Sequence, residues 1–250
     1  MLLTVAAGCE LIARGLCFPE ARAAWVPMRH KLDNLYEGVP IFIISTGTSL
    51  RGFDFKRLDG KLTIGINRVI EYYQPSIMHF VDVTAHQTHA RALRDYNGMI
   101  IAGPRAAPAE THANVFVVDR RIDTFEVSGG MTETSKIVAR SFSDGLFGGG
   151  GGATALHTAI LLGGNPIYLL GYDYYEDNGC HFDEYDESRN EKNLYEVFFE
   201  SVEHLGRQEW VPPIYNCNQR SRLSCFPYQD IDEVLMPDSA SYAQSVGNAG

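Results

Sequence analysis

Short apolar runs recur along the chain with almost no polar interruption, at 40–45, 62–66, 77–82, 98–102, 114–118, 166–170 and 212–216. A strand with one wet face alternates apolar and polar positions, whereas a strand covered on both faces is apolar throughout, so these runs predict a buried, mostly parallel sheet. Between them, spacings of three and four between apolar positions predict helices over 84–96, 153–163 and 191–205. Strands alternating with helices give an α/β fold, a Rossmann-like doubly wound sheet.

The ends of three runs break the apolar pattern in the same way. PIFIISTGTSL, Pro40 to Leu50, empties into Thr46, Gly47 and Ser49; five glycines at Gly148 to Gly152 feed the helical stretch ATALHTAILLGG; and IYLLG runs into Tyr172-Asp173-Tyr174-Tyr175. In a doubly wound sheet the accessible polar region is the edge where strands stop. Glycine there permits close approach, and a following helix N-terminus offers unpaired N–H groups to phosphate. The three ends predict one crevice. For Gly47 a plain turn is the alternative.

Two segments fit no regular element. Residues 124–147 mix turn signals with short apolar pieces and read as a loop or lid, and YDYYEDNGCHFDEYDESRN after 170 is acidic, aromatic and aperiodic, a lid-like loop region too long for an ordinary connection. The division expected is a helical or irregular leader over 1–38, a nucleotide-binding catalytic domain over 39–236 and a flexible tail over 237–250.

The chain has 250 residues, 45% of them apolar, which suffices for one sizeable core. A formal charge of -10 argues against nucleic acid or an anionic membrane held by bulk electrostatics, while leaving room for a local phosphate pocket. Cys9, Cys17, Cys180, Cys217 and Cys225 form no CxxC pair, and an odd number suits reduced thiols and a cytoplasmic location. Ala-Gly-Cys at Cys9 has no basic residue before it and too short an apolar run for a lipoprotein signal, and no stretch is long enough to span a bilayer.

Several side chains could carry chemistry. Asn67, directly after TIGI, can donate and accept, which suits a nucleobase, ribose or sugar hydroxyl; capping the next helix is its ordinary alternative. Asp82 after IMHFV could bind ribose, a metal ion or a proton, or cap a helix. His86 and His89 share a helical face but lack the Glu of a zinc hydrolase pattern. Asp173, His181 and Asp183 could hold Mg²⁺ through nucleotide phosphates, with solvated loop acids as the alternative. Among Tyr172, Tyr174 and Tyr175, a phenol could donate to a departing phosphate, and at least one ring belongs in the core. His157, inside an apolar helix, reads as a satisfied core histidine. There is no GxxxxGK[ST], GxSxG or HExxH motif.

The order IFIISTGTSLRGFDFKRL, LTIGINRV, GGATALHTAILLGGNPIYLLGYDYY, HFD and PIYNCNQRSRLSCFP, over about residues 38–235, resembles a superfamily. It joins bacterial CMP-sialic-acid-dependent sialyltransferases, motility-accessory-factor proteins and archaeal-type 6-hydroxymethylpterin diphosphokinases. By that resemblance Thr46, Gly47, Ser49, Asn67, Asp82, Gly151, Gly152 and Asp173 would surround a nucleotide, and Tyr175 would assist the phosphate leaving group. The family's GxGPS has become STGTS, and its Ser-Gly pair before the helix is Gly151-Gly152. Its catalytic histidine is replaced within DESRNEKN, which leaves His181 or Glu187 to accept the proton. The expected activity is a glycosyltransferase passing a CMP-linked acidic sugar to a small-molecule or glycan hydroxyl, with no cofactor required and an oligomer possible. A diphosphokinase using ATP and Mg²⁺, and a non-catalytic nucleotide-binding homologue, are the alternatives.

Overall fold

The computed structural model describes residues 32–81, 85–103, 114–118, 125–126, 130–131, 136–175 and 192–236. Asp82, His181, Asp183 and Glu187, the side chain of His86, Cys9, Cys17 and Cys180, most of the leader and the tail lie outside the described residues. Seven parallel strands form one sheet: β1 (Ile41–Ile44), β2 (Leu62–Ile66), β3 (Ile77–Phe80), β4 (Met99–Ala102), β5 (Val115–Val117), β8 (Ile167–Leu170) and β9 (Ile214–Asn216). All seven fall on the apolar runs. Two residue pairs, β6 (Phe125–Glu126) and β7 (Gly130–Met131), add a small antiparallel ribbon in the segment read as a loop or lid.

The order in the main sheet is β5-β4-β3-β2-β1-β8-β9. The chain moves outward from β1 in one direction through β5, then returns to β1's other side with β8 and continues to β9. Ile41 of β1 therefore sits opposite Leu62 of β2 on one flank and Ile167 of β8 on the other. The reversal leaves a crevice at the C-terminal ends of β1 and β8, because connections leave in opposite directions there.

The lack of polar alternation has its explanation in the two covered faces. Ile41, Ile43, Ile64, Ile66, Ile77, Ile101, Ile167 and Leu169 point into the larger core, beneath α3 (Gly151–Leu161) and α4 (Lys192–Gly206). Their neighbours Phe42, Ile44 and Leu170 pack with Leu50 and Leu58 from 3₁₀ turns and with α5 (Ile231–Leu235), and Met78, Phe80 and Ile100 pack with Leu93 and Tyr96. Helix α3 is buried over nine of its eleven residues, so it too lacks a polar face.

Three departures from expectation have local causes. The helix read over 84–96 is two turns, α1 (Ala85–Thr88) and α2 (Ala90–Leu93), parted at His89. The ring of that residue is buried, stacked on Phe80 and bonded to Glu71 at 2.7 Å. Helix α3 starts at Gly151, two residues early. The core begins before Val39: Leu32 is buried, and the N–H groups of Asn34, Tyr36 and Gly38 bond the carbonyls of Leu161, Leu162 and Gly163, closing the C-terminal end of α3. No helix among the described residues is long and apolar enough to cross a membrane.

His157 is the core histidine expected of its apolar helix. Its Nδ1 accepts from the Phe147 N–H at 2.8 Å, so its Nε2 carries the proton and bonds the Ala139 carbonyl at 2.9 Å. Burial pushes its pKa down to about 4, with the Ala139 bond opposing. The unfolded chain binds a proton near pH 6.5 and the folded one resists until about 4, so stability is full above that window and falls through it as pH drops. At about 1.4 kcal/mol per unit the loss is on the order of 3 kcal/mol. Urea unfolding of the wild type should weaken more between pH 6.5 and 4 than that of His157→Gln. Parallel pH profiles would refute this role.

Candidate active site at the strand ends

Beyond β1 the backbone runs alongside the exit of β8. The N–H groups of Ser45 and Gly47, on either side of Thr46, bond the carbonyls of Leu170 and Gly171 at 2.8 and 3.1 Å. A Cβ on Gly47 would lie 2.4 Å from the Gly171 oxygen and 2.6 Å from the Asp173 carboxyl carbon. Position 47 thus has no room for a side chain, although its φ of -63° is open to any residue. Closeness, rather than backbone freedom, is what requires glycine here.

The space saved is filled by the Asp173 carboxylate. Its Oδ2 accepts from the Ser49 N–H at 2.8 Å and from Thr48 Oγ1 at 3.3 Å, while Oδ1 accepts from Ser49 Oγ and from Asn218 Nδ2 at 2.8 Å. Four donors meet a group with about four lone-pair sites. Asp173 is only 5% exposed. It joins the exits of β1, β8 and β9 through these four donors.

A second cluster lies at the N-terminus of α3. Gly150 caps the helix without a side-chain bond, so the first turn presents its N–H groups with no side-chain acceptor from the cap. A Cβ on Gly151 would stand 2.9 Å from Ile66 and 3.8 Å from Asn67 Nδ2, and one on Gly152 would meet the Tyr174 hydroxyl at 2.9 Å. Asn67 has φ +50°, a left-handed conformation that asparagine tolerates. Its Oδ1 is buried and accepts no hydrogen bond from the described residues.

The tyrosines bridge the two clusters. Tyr172 is the core ring: it is 1% exposed, its hydroxyl donates to the Gly152 carbonyl at 2.9 Å, and burial raises its pKa well above the phenol norm. Tyr174, at φ +55°, packs between Tyr172 and Phe199 with ring centroids 6.4 and 5.9 Å away. Tyr175 Oη accepts from Asn218 Nδ2 at 2.6 Å. Arg222 lies 4.0 Å over Phe199 and pairs with Glu196 at 2.7 and 2.8 Å, so its charge is balanced locally.

No family model and no curated protein matches the chain. Solved structures similar to it include the sialyltransferase CstII from Campylobacter jejuni in complex with a substrate analogue, CMP-3FNeuAc, at 15% identity and TM-score 0.47, covering 84% of this chain and 100% of that one. A sialyltransferase CST-II variant in complex with CMP gives 14% identity and TM-score 0.49, with 84% and 100% covered. CST-II with a trisaccharide acceptor and CMP gives 13% and 0.47, with 83% and 98% covered. Likeness at this level concerns the path of the chain and transfers no residue role.

Of the residues singled out in the sequence, Thr46, Gly47, Ser49 and Asp173 form one knot and Asn67, Gly151 and Gly152 another, with Tyr172 and Tyr174 between them. Asp173, expected to face the nucleotide, is held by four chain donors. The His89 ring bonds Glu71, and among the described residues no group of three His, Cys, Asp or Glu side chains is placed to hold a metal ion. Cys217 and Cys225 are free thiols pushed up to about 12, chiefly by burial, so they are not thiolates at neutral pH. Asn218 was not singled out, though it carries the same signal as Asn67, a side-chain amide just past an apolar run. Two open hollows lie elsewhere, one lined by Val211, Pro213 and Phe226 and one by Lys61, Tyr73 and Ser76.

Gly47→Ala should force β1 and β8 apart at their ends, costing roughly 2 kcal/mol or more, since neither a carbonyl nor a fully bonded carboxylate can yield. Denaturant unfolding reads this directly. A loss under about 0.5 kcal/mol, the range of an indifferent surface change, would show that the junction relaxes freely.

Proposed function

We propose that this protein is a glycosyltransferase that binds a nucleotide-activated sugar, specifically a CMP-linked acidic sugar, and passes the sugar to an acceptor hydroxyl. The observation that carries the reading is Asn67 Oδ1, a buried acceptor without a donor beside the glycine-opened N-terminus of α3. Leaving such a group unsatisfied costs about 1–3 kcal/mol, which a ligand donor would recover. An exocyclic amine of a nucleobase or a ribose hydroxyl supplies that donor, and a phosphate suits the adjacent helix end. The resemblance in motif order adds CMP as the nucleotide and Tyr175 as the residue beside the leaving group.

In this reading the bond between the anomeric carbon and the phosphate oxygen breaks, and the phosphate departs with the electron pair. The acceptor oxygen bonds the anomeric carbon and loses its proton to His181 or Glu187. Tyr175 donates a hydrogen bond to the phosphate oxygen as its charge grows, an interaction strongest in the transition state. The four chain donors on Asp173 support this over Mg²⁺-dependent diphosphoryl transfer, in which that carboxylate would exchange some of those bonds for a metal ion.

Thermal-shift and calorimetric titration with CMP, CTP, ATP and CMP-linked sugars, each with and without Mg²⁺, tests the reading. Cytidine nucleotides should stabilise the wild type without added metal, and Asn67→Ala should bind CMP about tenfold or more weakly, equivalent to about 1.4 kcal/mol. Stabilisation by ATP with Mg²⁺ alone would instead indicate a diphosphokinase, and silence across the panel a non-catalytic homologue. Either result removes the glycosyltransferase.

A further inference from the structure

We infer that Asn218 is a positioning residue that fixes the Tyr175 hydroxyl as a hydrogen-bond donor, with Asp173 as its anchor. This rests on the reading of Tyr175 as the group that assists the leaving phosphate, and extends it to a residue that would not touch the substrate.

The geometry is one of donor and acceptor counting. The Asn218 amide nitrogen has two hydrogens and two partners, Asp173 Oδ1 at 2.8 Å and Tyr175 Oη at 2.6 Å. Its Oδ1 accepts from the Arg220 N–H at 3.0 Å. Flipping the amide would set a carbonyl oxygen against the Asp173 carboxylate and its NH₂ against a backbone donor, so one orientation is enforced. The backbone is held as well: the Asn218 N–H bonds Asn216 Oδ1 at 3.0 Å, and Asn216 Nδ2 bonds the Tyr172 carbonyl at 3.2 Å.

An amide nitrogen has no lone pair to offer, so the contact with Tyr175 has a fixed polarity. The phenol oxygen accepts, and its own proton must point to another partner. Accepting one bond also makes a hydroxyl a stronger donor of the next, since the bonds polarise one another. The carboxylate buried at the strand junction thereby sets the direction of a proton two side chains away. Tyr175 would be oriented for a ligand before one arrives, which lowers the entropy lost on reaching the reactive geometry.

A double-mutant cycle on Asn218 and Tyr175 tests this. Asn218→Ala, and the milder Asn218→Ser as a safeguard for folding, should lower the rate constant of CMP release from a CMP-linked acidic sugar roughly 10- to 100-fold. CMP affinity should stay within about twofold, because Asn218 is not placed on the nucleotide. In a Tyr175→Phe background the same changes should cost at most about twofold more, since the group they position is gone. Equal losses in both backgrounds would mean a general structural role and overturn the proposal. An arm independent of turnover uses protein labelled with 3-fluorotyrosine. The ¹⁹F resonance missing from Tyr175→Phe should shift in Asn218→Ser, and an unmoved resonance overturns the contact. If the wild type releases no CMP from any CMP-linked sugar, the glycosyltransferase reading has failed, and the ¹⁹F arm alone decides whether Asn218 holds the phenol.

Discussion

A buried carboxylate must be answered, and the structure answers Asp173 with donors drawn from separate strand exits. The Ser49 N–H and the hydroxyls of Ser49 and Thr48 come from beyond β1, and the Asn218 amide from beyond β9. Hydrogen bonds to an ionised group contribute about 1.5–3 kcal/mol each, and a buried charge left without them costs several. The three exits cannot drift apart without exposing that cost. Gly47 is the steric counterpart, since any Cβ there would occupy the carboxylate's space. A doubly wound sheet puts a crevice at this point on topological grounds alone, and Asp173 makes its floor rigid.

Rigidity on one side contrasts with incomplete bonding on the other. Around Asp173 four chain donors are gathered, whereas near α3 the Asn67 Oδ1 is buried with no donor among the described residues and the cap residue is a bare glycine. Native structures tolerate few such groups, and those that persist call for a reason. On the proposed reading, a phosphorylated ligand would find polar partners beside β2 and α3. The two halves therefore do different work: one holds the strand ends, and the other is left to be satisfied.

How much of this the sequence disclosed depends on whether the cause was local. The seven strands were legible because coverage on both faces leaves a strand no polar positions, and the order of the runs is enough to suggest a doubly wound sheet. Gly47, Asn67 and Gly151 were legible as breaks in those runs. The division of the helix at His89 was not, because it follows a tertiary contact with Glu71. Neither was the α5 turn, five residues long, nor the docking of Leu32 to Gly38 against the end of α3. Asn218 shows the limit most clearly. Its residue type and place at a strand end were visible in IYNCN, but its partners depend on β9 lying next to β8, a neighbour relation no spacing encodes.

The same distinction bears on Asp173. As a residue type it reads from the sequence as an acid near a phosphate site, available to Mg²⁺ through nucleotide phosphates. Its surroundings in the fold add a structural meaning, because four chain donors meet its two oxygens. Of those donors, Ser49 and Thr48 lead back into the β1 turn, while Asn218 leads outward to Tyr175. The path that leads from this carboxylate out of the strand junction thus runs through one amide to one phenol, and on the proposed reading the chemistry would depend on which way that phenol's proton points.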